Sequence, residues 1–217
     1  MLLNFKVKNY RSINNEITLD LQATSDKTLR DSATFEAGNI SLLKSAAIYG
    51  ANASGKSNIL KAFFIFRTMI LESLLRSNIS AELPNEFFKL SPNNENKPSF
   101  FEMTFLIDKE VYSYGFEISK QQVASEWLKQ EKGKKILFSR TNQEIESNKN
   151  YFQEATAVLK KQTSERVLFL SILASNNAPL SKKIIEFVKK INYVSGTERG
   201  NTLNYSFGQF LNNPEMA

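Results

Sequence analysis

Residues 45–58 read Ser45-Ala-Ala-Ile-Tyr-Gly50-Ala-Asn-Ala-Ser-Gly55-Lys-Ser-Asn58. The apolar run 45–49, closed by Gly50, has the length and composition of a buried strand. Residues 50–57 then match the spacing G-x-x-x-x-G-K-[ST]. The spacing has a chemical reason. Two glycines let the loop wrap tightly, so that successive backbone N–H groups converge on phosphate oxygens. A helix opening at the loop adds its partial positive N-terminus. Lys56 is placed to reach the β- and γ-phosphates, and the Ser57 hydroxyl to ligate Mg2+. Ordinary residue usage yields about one chance match per hundred or so chains of this length. The context sharpens the signal, because the match follows an apolar run and opens a helical pattern.

Downstream, Ile59, Leu60, Phe63, Phe64, Phe66, Ile70, Leu71, Leu74 and Leu75 recur at steps of three and four. This predicts an amphipathic helix from Lys56 to about Arg76, with Phe63, Phe64 and Phe66 in the core. Upstream, Leu3, Phe5 and Val7 alternate with Asn4, Lys6 and Lys8, the pattern of a half-buried strand over 2–10. Ile17, Leu19 and Leu21 repeat it after a turn, so the two strands are expected to pair. Residues 22–41 are polar and read as a loop. Pro84, Pro92 and Pro98 break regular structure over 77–98.

The next stretch reads as β-rich. Strands are predicted over 100–107 and 111–118, joined by a hairpin turn at Asp108-Lys109-Glu110. Further strands are expected at 123–128 and 136–138, around a charged turn at 129–135. Helical spacing returns over 151–173 and 182–191, and Tyr193-Val194 reads as a strand start. Residues 200–217 are weakly patterned. The chain thus divides into a loop-bearing lobe at about 1–94, an antiparallel β-region at about 95–145 and a helical segment at about 150–217.

The chain has 217 residues, with neither cysteine nor histidine. Disulfides, thiolate metal sites, His-ligated zinc and Ser-His-Asp catalysis are therefore excluded. Apolar residues at 41% and charged residues at 23% fit a globular chain rather than a disordered one. No apolar stretch is long enough for a membrane span, and the first residues lack a secretory pattern, so a cytoplasmic location without a membrane partner is expected. A net charge of +6 permits polyanion binding without requiring it. Lys132, Lys134 and Lys135, with the pairs Lys160-Lys161, Lys182-Lys183 and Lys189-Lys190, read as solvated faces. Tyr112, Tyr114 and Phe116 alternate on one strand and read as sheet core ahead of a stacking platform.

The segment 47–58, with Asn52 and Asn58 flanking the loop, resembles the Walker A of ABC-type ATPases of the SMC, RecF and OLD group. The opening Phe5-Lys-Val-Lys-Asn-Tyr-Arg-Ser12 is similar to that group's first strand. The likeness is strongest to the stand-alone AAA-family ATPases of bacterial abortive-infection and phage-defence loci. Pro98-Ser-Phe-Phe-Glu102, Tyr112-Ser-Tyr-Gly-Phe116, Ser125-Glu-Trp-Leu128 and Ile136-Leu-Phe-Ser-Arg140 also resemble that family. The resemblance implies an α/β P-loop NTPase of ABC-ATPase head type. It implies ATP and Mg2+ as cofactors, held by Gly50, Ala51, Asn52, Ala53, Ser54, Gly55, Lys56, Ser57 and Asn58, with Ser57 on the metal. Arg11 matches an arginine that lies near the nucleotide in relatives, and Asn52 a position facing a partner subunit.

Such an ATPase also carries a signature motif, a Walker B strand and usually a switch histidine. Only four aspartates occur, Asp20, Asp26, Asp31 and Asp108. Phe105-Leu-Ile-Asp108 imitates Walker B, but Lys109 stands where a catalytic glutamate belongs, which favours a turn of undecided type. Ser195-Gly196 is a weak echo of a signature motif and reads as loop. The expectation is an N-terminal part of a head that binds ATP and needs a second head, as a homodimer, or a C-terminal half to hydrolyse it. An effector protein, DNA or RNA are the further partners implied. The alternatives are a DNA-repair or chromosome-maintenance subunit of RecF or SMC type, against which the absence of a heptad coiled coil counts, and a non-enzymatic interaction module.

Overall fold

The computed structural model describes residues 1–26, 28–52, 54–78, 82–94 and 97–193. Its centre is a seven-stranded sheet, antiparallel at every pairing, in the order β2-β1-β5-β6-β7-β8-β9. The strands are β1 Leu2–Lys8, β2 Ile17–Asp20, β5 Ser99–Ile107, β6 Glu110–Ile118, β7 Val123–Gln130, β8 Lys135–Thr141 and β9 Glu144–Ser147. Between β2 and β5 come α1 Arg30–Ala33, the hairpin β3 Thr34–Ala37 with β4 Ile40–Leu43, and the long helix α2 Lys56–Glu72. Three helices close the described chain, α3 Ala157–Gln162, α4 Phe169–Ser175 and α5 Pro179–Lys189. The opening strands and the 95–145 region therefore share one sheet.

Strand alternation decides the two faces. Phe5, Phe101, Met103, Phe105, Tyr114, Phe116 and Leu128 turn inward and are buried. On them lie Phe66, Met69 and Ile70 of α2, Phe169 and Leu173 of α4, and Ile184 and Val188 of α5. The rings of Phe66 and Phe116 stack at 5.2 Å. Each such apolar side chain contributes about 1.5–3 kcal/mol on burial. Tyr114 and Phe116 are core, with Tyr112 packed partly buried against it, as alternation predicts. The predicted hairpin turn is real and two residues long. Asp108 and Lys109 both have positive φ, at 50° and 67°, as in a type I′ turn. Asp108 is thus a turn residue, and Lys183 of α5 holds it at 2.5 Å.

Helix α4 is tied to the sheet by a buried charged cluster. Glu126 of β7 and Arg140 of β8 face each other in register, and both side chains are fully buried. The Glu126 carboxylate accepts from the Phe169 and Leu170 amides, at 2.7 and 2.9 Å, and from the Tyr114 hydroxyl at 2.9 Å. It thereby caps the first turn of α4. Arg140 donates to the carbonyls of Asn142, Val167 and Ser164. Burial pushes the Glu126 carboxyl up, while Arg140 and the amide donors pull it back. Burial also pushes the Tyr114 hydroxyl well up.

Gly115 serves a different close approach. The Trp127 indole crosses over it to donate to Glu102 of β5 at 2.8 Å. A Cβ at position 115 would lie 2.4 Å from the Trp127 ring and 2.7 Å from the Phe101 carbonyl. Gly115→Ala is expected to cost about 1–3 kcal/mol, because backbone as well as side chain must shift. Urea unfolding followed by the chain's one tryptophan reads this directly. An unchanged midpoint refutes the packing argument.

Several expectations are corrected. Residues 45–49 form no strand; Tyr49 is 90% exposed, and no described strand pairs with the run. An extended segment needs a neighbouring backbone to satisfy its N–H and C=O groups, and the sheet does not reach it. The 22–41 stretch is not loop throughout, since it carries α1, β3 and the start of β4. The β-hairpin escapes a period reading because its strands are four residues each. The α-helix from Lys56 ends at Glu72 and continues as a 3-10 turn to Asn78. Residues 151–173 hold two short helices rather than one, with Arg140 occupying the carbonyls between them. Phe64 is exposed at 40%, not core, and meets Tyr193 at 5.1 Å. The charged turn is confined to 131–134, and β9 was not predicted. Tyr193 is not in a strand. Val194, Ser195-Gly196 and residues 200–217 lie outside the described residues.

Candidate phosphate-binding site

The loop stands at the head of α2. Gly55 is the N-cap residue at φ 95°, a left-handed conformation that favours glycine. A Cβ there would lie 2.6 Å from the Ser12 hydroxyl, so that side chain would have to move as well. Ser54 N–H donates to the Ala51 carbonyl at 3.2 Å, and Asn58 N–H to Gly55 at 2.8 Å. The Lys56 ammonium folds back on the loop, donating to the Gly50 and Ala51 carbonyls at 2.7 and 2.6 Å. Ser54, Gly55, Lys56, Ser57 and Asn58 line a concavity of about 200 Å³ at the start of the helix. Ser57 is exposed there, as are Gly50, Ala51 and Asn52. Ala53 lies outside the described residues. Helix dipole, lysine and hydroxyl thus converge on one exposed concavity, which is the chemistry of phosphate binding.

Arg11 is brought beside this loop indirectly. Its neighbour Ser12 touches the loop, with the Asn58 amide donating to the Ser12 hydroxyl at 2.7 Å. Arg11 itself, at φ 50°, pairs with Glu86 at 2.7 Å and donates its backbone N–H to the Glu86 carbonyl at 2.6 Å. Partial burial opposes its charge, but Glu86 and Tyr10 outweigh this and hold the guanidinium protonated more firmly still. The Arg11 Nε has no hydrogen-bond partner among the described residues. Sequence reading missed Ser12 and Glu86. Ser12 ends the first-strand segment quoted for its likeness, whereas nothing local marks Glu86.

Among the described residues no group of three or more acidic side chains is placed to hold a metal ion. No described helix is long and apolar enough to cross a membrane. The sequence profile of one family, described as "AAA domain, putative AbiEii toxin, Type IV TA system", matches residues 45–212. The chain belongs to this family. It is a P-loop NTPase of AAA type, related to abortive-infection systems, and the matched span begins at the apolar run leading into the loop. Proteins of this kind bind ATP with Mg2+, and the loop geometry fits that chemistry. No curated protein matches the sequence.

Proposed function

We propose that the chain is the ATP-binding part of an ABC-type ATPase head acting in abortive infection against phage. The observation that carries this reading is the geometry of residues 54–58, where Lys56 and Ser57 share one concavity at a helix N-terminus. Gly50, Ala51, Asn52, Ala53, Ser54 and Gly55 wrap the phosphates, Lys56 meets the β- and γ-phosphates, Ser57 ligates Mg2+ and Asn58 opens the helix. Arg11 belongs to the segment that Ser12 ties to the loop, which supports a place for it near the nucleotide. Its pairing with Glu86 sets its orientation.

Hydrolysis needs a second head, or a C-terminal half, to supply signature and Walker B residues. Two observations support this. The run 45–49 has strand composition without a described strand partner. Beside it in sequence, α2 exposes Leu60 at 48% and Phe64 at 40%, one helical turn apart. Both are surfaces that a complementary sheet would cover. The exposure of Asn52 on the loop supports a contact across such an assembly. The test is calorimetric titration of Mg-ATP into the purified chain. Saturable binding with little turnover supports the reading, and a chain that hydrolyses ATP efficiently alone contradicts it.

A further inference from the structure

The sheet face opposite the helices carries a second site. Strand register lays its side chains in rows. One row runs Lys6, Glu102, Gly115, Trp127, and the next runs Asn4, Thr104, Ser113, Lys129. A cleft of about 970 Å³ opens over the second row. The β3–β4 hairpin walls one side and the 131–134 turn the other.

Two features bear on what enters it. The first is charge. The cleft holds the carboxylates of Glu102, Glu110 and Glu131, and each is already engaged. Glu102 pairs with Lys6 at 3.1 Å, Glu110 lies 3.9 Å from Lys132, and Glu131 accepts from Ser113. Lys109, Lys129 and Lys134 also line it, and among the described residues none has a carboxylate partner. The surplus is positive, and sheet walls concentrate its field. The second is an aromatic plate. Trp127, partly exposed on the row beside the cleft, lies across β6 over Gly115 and stacks with Phe100 at 5.4 Å. The Lys129 ammonium stands 5.6 Å from its centroid.

We propose that this outer face binds single-stranded nucleic acid. A flexible strand supplies what the two features lack: phosphates for Lys109, Lys129 and Lys134, and a base for the Trp127 ring beside them. An acidic peptide would satisfy the lysines but leave the plate unused. A duplex keeps its bases stacked internally and offers the plate nothing. The site stands apart from the phosphate loop and does not depend on ATP binding.

Fluorescence anisotropy of a 5′-fluorescein deoxythymidine 20-mer tests this at low salt. The wild-type chain is expected to bind with strong salt dependence. Lys129→Glu with Lys134→Glu is expected to weaken binding at least about tenfold. Lys160→Glu with Lys161→Glu, an equal charge change on α3, is expected to leave it within about twofold. Trp127→Leu, checked for folding by thermal melting, is expected to weaken it about fivefold or more. Excess Mg-ATP should not displace the strand. No binding by the wild type, equal loss in both double variants, or displacement by Mg-ATP would overturn the proposal.

Discussion

Lys56→Ala is expected to lower the affinity for Mg-ATP at least about tenfold, since a charge-assisted phosphate contact contributes about 1.5–3 kcal/mol. The fold should survive. Among the described residues the ammonium's hydrogen-bond partners are the Gly50 and Ala51 carbonyls, both on exposed loop residues that water can reach. Calorimetry with wild type and variant side by side separates the outcomes. Binding retained at wild-type strength by the variant would sink the assignment of the loop. Binding absent from both would show that this chain alone does not form a nucleotide site.

Glu126→Ala is expected to cost about 3–5 kcal/mol of stability, the usual penalty for orphaning one member of a buried pair. The loss has three parts: Arg140 keeps a buried charge without its counter-ion, the Phe169 and Leu170 amides lose their acceptor, and so does the Tyr114 hydroxyl. The double variant Glu126→Leu with Arg140→Met should cost less than the sum of the single changes by about 1 kcal/mol or more. Urea unfolding measures the cycle, and strict additivity would contradict the coupling. The carboxyl also predicts a pH dependence. Its folded-state pKa is raised, chiefly by burial. The folded chain therefore keeps this proton to higher pH than the unfolded chain does. The contribution of Glu126 is largest below the ordinary carboxylate range and falls as pH rises through the raised value. Relative to Glu126→Gln, which does not titrate, wild type should gain stability on going from about pH 7 to about pH 5.

The two segments 125–128 and 136–140, read from sequence as strands and for their likeness, acquire a further physical reason in this cluster. Their register sets Glu126 opposite Arg140. Neither residue's role was legible, because a charged residue in an alternating strand reads as outward facing until a helix end arrives to use it. What was legible had local causes. The glycine and lysine spacing marks the loop, and alternation marks β1, β5 and β6. The turn at Asp108 was legible too, although Lys109 occupies a left-handed position where glycine is commoner. The run 45–49 shows the opposite failure. Its apolar residues predict burial, but burial needs a partner backbone that a single sequence window does not supply. Phe64 failed likewise, since helical spacing says which residues share a face and not whether that face is covered.

The pairing of β1 with β5 has a consequence for the order of assembly. Lys6 meets Glu102 across a separation of 96 residues, whereas β5 to β9 follow one another as a meander of short turns. A nascent chain can pair β1 with β2 early, but an isolated hairpin is marginal in water. The first strand must wait until β5 has been made and has somewhere to sit. The meander is therefore expected to gain amide protection first in pulsed hydrogen exchange, with β1 and β2 following as a late-closing edge. Protection of β1 ahead of β6 and β7 would reverse that order. The loop at the head of α2 is anchored to this edge through Ser12, so the phosphate site is set among the last parts to take shape.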